Sequence, residues 1–202
     1  SVVTDISQLL TDAPNVLRFE RSAGDGTLYY TAYLRTFLSV PTIPPVDRGL
    51  IVSRVYTYPD SDEPITQARV GEVVQARLTL IVPNDVNYIR VEDPLPAGAE
   101  GIDPNLNTSQ QLGTDPLLEE QTDDNLSYGW GWWYFPNIQF EDDRVVLAAT
   151  YLPAGTYEFV YTMRPSVEGV YNVIPPTASL NFFPEVFGRG AGSAFTVLPA
   201  EE

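Results

Sequence analysis

The chain has 202 residues, 27 of them acidic against 11 basic, for a net charge of −16; every basic residue is an arginine, and cysteine and histidine are absent. Without Cys, His or Lys it cannot assemble a Ser-His-Asp or Cys-His nucleophile, a His or Cys zinc site or a Schiff-base lysine. The acid excess is also the wrong sign for nucleic-acid phosphates or anionic lipid, and it favours solubility instead.

The length suits one large β domain, or one domain plus part of another. No apolar run approaches the roughly 20 residues that a membrane-spanning helix needs. The first residue is Ser and the only methionine is Met163, so a fragment of a longer polypeptide is expected.

In chain order, residues 1–14 form an irregular lead-in ending at Pro14. Val16 to Glu20 and Leu28 to Phe37 are predicted strands, joined through Ala23-Gly24-Asp25-Gly26 as a hairpin. Three prolines between Val40 and Pro45 mark a linker, which sets an expected domain boundary near Asp47, with residues 1–47 before it and 48–202 after it. Gly49 to Tyr58 is strand-like, with Val52, Arg54 and Tyr56 on one face and Ile51, Ser53, Val55 and Thr57 on the other. Asp60, Asp62 and Glu63 then offer oxygen ligands of the kind calcium takes. The loop lacks the central glycine and the correctly spaced bidentate glutamate, so a solvated acidic loop is expected.

Val74, Ala76, Leu78, Leu80 and Val82 alternate inward along the next strand. Pro83-Asn84-Asp85 is predicted to turn the chain into Tyr88–Val91 as an antiparallel hairpin, whose exit through Pro94 and Pro96 is stiff because proline fixes φ. Residues 99–127 are acidic and without period, a loop long enough to be functional or mobile. They contain two glycosylation sequons, at Asn107 and Asn125, a pattern common by chance.

Tyr128 to Pro136 gathers all three tryptophans, Trp130, Trp132 and Trp133. Core or inter-domain packing and a platform for stacking sugar rings are both open to it. Glu141, Asp142 and Asp143 are the one compact acid cluster beside a strand. Three consecutive acids before Arg144 make a turn, with poor geometry for the paired carboxylates of a glycosidase.

Val145, Leu147, Ala149 and Tyr151 alternate on one face, and after Leu152-Pro153-Ala154-Gly155 the row Tyr157, Phe159, Tyr161, Met163 does the same. The reading is a third hairpin, half buried. A strand at Gly169–Val173, an Ile174-Pro175-Pro176 corner, the run Phe182-Phe183-Pro184-Glu185-Val186-Phe187-Gly188-Arg189 and a last strand at Ala194–Leu198 complete an all-β chain.

The order Val145–Tyr151, Leu-Pro-Ala-Gly-Thr-Tyr-Glu-Phe, Ile-Pro-Pro and Pro-Glu-Val-Phe-Gly-Arg, with Val91-Glu-Asp-Pro-Leu-Pro-Ala-Gly and the Leu-Tyr-Tyr-Thr-Ala run at 28–32, resembles the C-terminal domain of bacterial alpha-2-macroglobulins. The resemblance covers nearly the whole chain and rests on order and spacing, not on one diagnostic motif. It implies an all-β, antiparallel macroglobulin-like two-sheet sandwich with an N-terminal β-hairpin region, the latter being the end of a preceding β domain. It further implies a non-catalytic scaffold module of a periplasmic or extracellular protease trap, associated with the cell envelope. Such a module packs on an upstream thioester domain of the same polypeptide, and target proteases meet the full-length protein. No catalytic, cofactor or metal site is expected in the chain itself.

The family usually carries Met-Tyr where this chain has Asn181-Phe182, with the tyrosine over the thioester; Phe182 and Phe183 are therefore the implied contacts to that domain. The alternative reading is a carbohydrate-binding or adhesive β-sandwich of a surface protein, which rests on Tyr128–Tyr134.

Overall fold

A computed structural model describes residues 7, 9–10, 13–33, 37–103 and 135–201. The chain divides into two compact units, Ser1–Phe37 and Leu38–Glu202. The boundary expected near Asp47 falls inside the second unit, within its first strand.

Among the described residues the second unit holds thirteen strands: β1 Val46–Arg48, β2 Ile51–Thr57, β3 Gln67–Arg69, β4 Val74–Val82, β5 Val86–Pro94, β6 Ala99–Gly101, β7 Asn137–Phe140, β8 Arg144–Leu152, β9 Gly155–Pro165, β10 Gly169–Val173, β11 Thr177–Leu180, β12 Phe183–Arg189 and β13 Ser193–Leu198. They form a six-stranded sheet (β1-β12-β11-β5-β8-β7), a four-stranded sheet (β2-β4-β9-β6) and a three-stranded sheet (β10-β13-β3). All strand pairs are antiparallel except β13 with β3, which run parallel. The fold is an all-β sandwich, as expected.

The sandwich follows from alternation. Val74, Ala76, Leu78, Leu80 and Val82 of β4 are buried, and so are Tyr157, Phe159, Tyr161 and Met163 of β9 beside it. Ile89 and Val91 of β5 with Val145, Leu147 and Ala149 of β8 supply the facing row. The three-stranded sheet joins the same core through Phe195, whose ring meets Tyr56 edge-on at 5.0 Å.

The connections differ from expectation in one instructive way. Two of the predicted hairpins, β4 to β5 and β8 to β9, are not hairpins. Each pair crosses from the four-stranded sheet to the six-stranded one, or back. β4 pairs with β9 and β5 with β8 instead. Each strand carries a bulky inward row, and two such rows bury each other best across the sandwich. Local alternation sets the face of a strand; it does not name the neighbour.

The two crossing loops are clasped by Asp85. Its carboxylate accepts from the Tyr151 hydroxyl at 2.7 Å and from the Ala154 amide at 2.9 Å. These two bonds hold the Asp85 carboxyl below the usual carboxylate range. Tyr157 adds a bond to the Pro153 carbonyl at 2.7 Å.

In the first unit the chain reverses at Ala23–Gly26, where Arg21 donates to the carbonyls of Gly24 and Gly26. Phe19 and Tyr30 stack at 4.2 Å across this reversal. No strand ladder forms over described residues 13–33, unlike the expected pairing of Val16–Glu20 with Leu28–Phe37. Val16, Leu17, Tyr29, Tyr30 and Tyr33 are exposed, and a two-stranded ribbon without a surface to bury is marginal in water.

An ion pair sits inside the sandwich. The side chains of Arg54 on β2 and Asp93 on β5 are 3% and 0% exposed and form an ion pair. Tyr161 of β9 donates to the other carboxylate oxygen at 2.7 Å. The guanidinium also donates to the carbonyls of Pro94 at 2.9 Å and Ile174 at 3.2 Å, and it lies over the Tyr56 ring at 5.0 Å. Burial pushes the Asp93 carboxyl upward against the opposing pull of Arg54 and Tyr161. Burial raises the Tyr161 hydroxyl well above its ordinary value, with the Asp93 charge adding to it.

Removing one partner of a buried pair leaves the other charge uncompensated. Asp93→Asn is expected to cost about 3–5 kcal/mol in urea unfolding, and Tyr161→Phe less, about 1.5–3 kcal/mol for a bond to a charged group. The reverse order, or two neutral substitutions, would contradict the network. Asp85 yields a pH prediction. A carboxylate with a lowered folded pKa stabilises above its unfolded value and loses that contribution as pH falls through the folded one. The melting-temperature advantage of the native chain over Asp85→Asn should therefore be full at neutral pH and shrink below about pH 4.

Candidate functional site

The β11–β12 hairpin rises from a rigid base. Gly188 passes so close to the chain that an added Cβ would lie 2.3 Å from the Leu50 carbonyl oxygen. β1 pairs along Phe187–Arg189, and the Gly190 amide donates to the Pro176 carbonyl at 2.8 Å. On the other side, Ile174 of the Ile-Pro-Pro corner is tied to Arg54 in the core.

The tip is different. Pairing of β11 with β12 jumps from Ser179↔Phe187 to Leu180↔Phe183, which leaves Pro184, Glu185 and Val186 unopposed. Proline cannot donate to a ladder, so an irregularity here is where the chain accommodates it. Phe182 and Phe183 stand at the tip, 68% and 57% exposed. Alternation would have turned one ring inward; the interrupted ladder leaves both outside. Tyr88 of β5 completes the surface: its ring meets Phe182 edge-on at 4.9 Å, and its carbonyl accepts from the Asn181 amide at 2.9 Å. Sequence reasoning missed Tyr88. Its position beside Ile89 read as one more strand residue, and only the three-dimensional neighbourhood links it to Phe182.

The other sequence candidates lie elsewhere. Asp62 pairs with Arg77 at 3.2 Å, and Ser61 accepts from the Glu63 amide at 3.1 Å. Asp60 and Asp62 line a shallow cleft of about 200 Å³ with Pro59, Gln75, Arg77 and Val160. Among the described residues no three His, Cys, Asp or Glu side chains gather as a metal site. Glu141–Asp143 form the β7–β8 turn, where Arg144 grips Asp143 with two bonds of 2.9 Å and the Glu141 amide donates to the Arg144 carbonyl at 2.9 Å. Arg144 holds the Asp143 carboxyl below its ordinary value, the opposite of what a general acid needs. Trp130, Trp132 and Trp133, most of the acidic loop and both sequons lie outside the described residues.

The site is thus an exposed aromatic tip on a braced hairpin, suited to burying apolar surface against a partner and holding no paired acid and base. Among the described residues, no helix is long and apolar enough to cross a membrane.

Comparison with known proteins places the sandwich. The family model of the bacterial alpha-2-macroglobulin MG10 domain matches residues 49–185. An alpha-2-macroglobulin homologue of Nostoc sp. is 33% identical over 130 residues, which cover 64% of this chain and 6% of that protein. Among solved structures, Escherichia coli alpha-2-macroglobulin activated by porcine elastase aligns with a TM-score of 0.64 and 27% identity, covering 77% of this chain and 14% of its own. Native E. coli alpha-2-macroglobulin from domain MG7 to the C-terminus aligns with a TM-score of 0.60 and 25% identity, covering 77% and 24%. The chain spans a small part of the length of each.

Exposed rings contribute little to folding. Phe182→Ala and Phe183→Ala are each expected to change unfolding free energy in this chain by less than about 0.5 kcal/mol, read by urea titration. A loss of 2 kcal/mol or more would mean that the tip is core.

Proposed function

The chain belongs to the bacterial alpha-2-macroglobulin family, and from that premise we propose that it is a non-catalytic scaffold module of a protease trap, which packs on and shields an upstream thioester domain of the same polypeptide. In this reading the sandwich unit, Leu38–Glu202, is the macroglobulin-like domain and Ser1–Phe37 belongs to the end of the preceding β domain. The full-length protein is periplasmic or extracellular, associated with the cell envelope, and target proteases engage it through other domains.

One observation carries the reading. Two phenylalanines are held out in water at the end of a hairpin whose base is fixed by the core. Apolar rings in that position gain nothing for the sandwich, so their benefit lies in a contact outside it. Aromatic rings exclude water from what they cover, and phenylalanine does so without a hydroxyl to donate. At this tip shielding therefore works by packing alone.

In the full-length protein, Phe182→Ala should speed spontaneous loss of the thioester, measured as methylamine incorporation before any protease is added. The melting temperature of the module should stay within about 2 °C, in line with the small stability change expected for an exposed site. Unchanged incorporation, with the thioester present and reactive after cleavage, would overturn the shielding role.

A further inference from the structure

Tyr88 is the one non-glycine residue with positive φ among the described residues, at 55°. A left-handed backbone is unfavourable for a residue with a bulky side chain, and glycine would adopt it freely. The register does not demand it. Asn87 faces Tyr151 and Ile89 faces Ala149 with no residue gained or lost between them. Core burial does not repay it either, since Tyr88 is 47% exposed. What the conformation does produce is local. β11 leaves its ladder with β5 at Leu180↔Ile89, and the next bond runs from the Asn181 amide to the Tyr88 carbonyl at 2.9 Å. From the same residue the ring reaches Phe182 at an interplanar angle of 89°.

We propose that Tyr88 is the positioning residue of the aromatic tip: its carbonyl fixes the Asn181 end of the turn, and its ring is the wall that holds Phe182 in one presented orientation. A single residue on β5 thereby sets the geometry of a turn roughly ninety positions later in sequence. The strained φ is the condition for both contacts at once. The inference deepens the shielding role and rests on it for its consequence in the full-length protein, whereas the positioning itself is a property of this chain.

The test has two arms. In the first, Tyr88→Gly is made in this chain. The substitution keeps the carbonyl and removes the ring together with the strain, so the melting temperature should hold or rise. The Phe182 ring protons should move toward random-coil NMR shifts while the Asn181 amide keeps its protection from exchange. Tyr88→Phe, which retains the ring, should leave the Phe182 shifts where they are. Unaltered Phe182 shifts in Tyr88→Gly overturn the proposal, whatever the tip does. If Tyr88→Gly does not fold, Tyr88→Ala and Tyr88→Phe give the same comparison of ring absent with ring present. In the second arm, methylamine incorporation into the resting full-length protein should rise in Tyr88→Gly as far as in Phe182→Ala, and not in Tyr88→Phe. A rise in Phe182→Ala alone shows that presentation does not need Tyr88 and overturns the proposal. No rise in either variant, with the shifts moved as expected, supports the positioning role and removes the shielding role instead.

Discussion

An arginine and an aspartate buried between two sheets are the constraint on which this structure turns. Arg54 comes from the four-stranded sheet and Asp93 from the six-stranded one, and Tyr161 closes the group from the first of these again. Taking two charges out of water is expensive, and their attraction repays that only when geometry is good and the remaining hydrogen-bonding capacity is used. Both conditions hold here. Asp93 accepts from Arg54 and Tyr161, and Arg54 also satisfies the carbonyls of Pro94 and Ile174. A one-residue slip of β5 would carry Asp93 to the solvent face and leave Arg54 alone in the core.

The same group reaches outward to the tip. Ile174 opens the corner from which β11 departs, so the guanidinium anchors the hairpin at its root. Gly188 and β1 brace the returning strand against Leu50. The order therefore runs from a charged core, through a stiff corner, to an aromatic tip whose own pairing is broken at Pro184–Val186. Rigidity below and exposure above are what a docking element requires, because a partner then meets rings that are already in place.

Much of this was legible in the sequence, and the rest has definite physical reasons for being hidden. The inward rows of β4, β8 and β9 followed from alternation alone, since burial of one face leaves a period of two in any sheet. Strand partners did not follow, because Pro83–Asp85 and Pro153–Ala154 serve a crossing between sheets as well as a tight turn; Asp85 bonding to the other loop is a non-local fact. Arg54 stood in the row with Val52 and Tyr56, and a charge in an apolar row is a signal that a buried counter-charge exists. Asp93 gave no matching sign, for an acid before proline reads as a turn. Phe182 and Phe183 were visible through their flanking prolines, while Tyr88 depended on a contact across the sheet. The expected ribbon of Val16–Glu20 with Leu28–Phe37 has a strong turn signal, but no strand ladder forms over described residues 13–33, where Tyr29, Tyr30 and Tyr33 stay exposed.

The account stands on the tip being a buried contact in the whole protein and a free surface in this chain. Amide hydrogen exchange at Tyr88 and across Asn181–Phe187, compared between this chain and the resting full-length protein, measures that directly. The account predicts strong extra protection of Phe182, Phe183 and Glu185 in the full-length protein, lost after cleavage by a protease, with the amides of β4 and β9 unchanged throughout. Equal exchange at the tip in the chain and in the resting protein would contradict it.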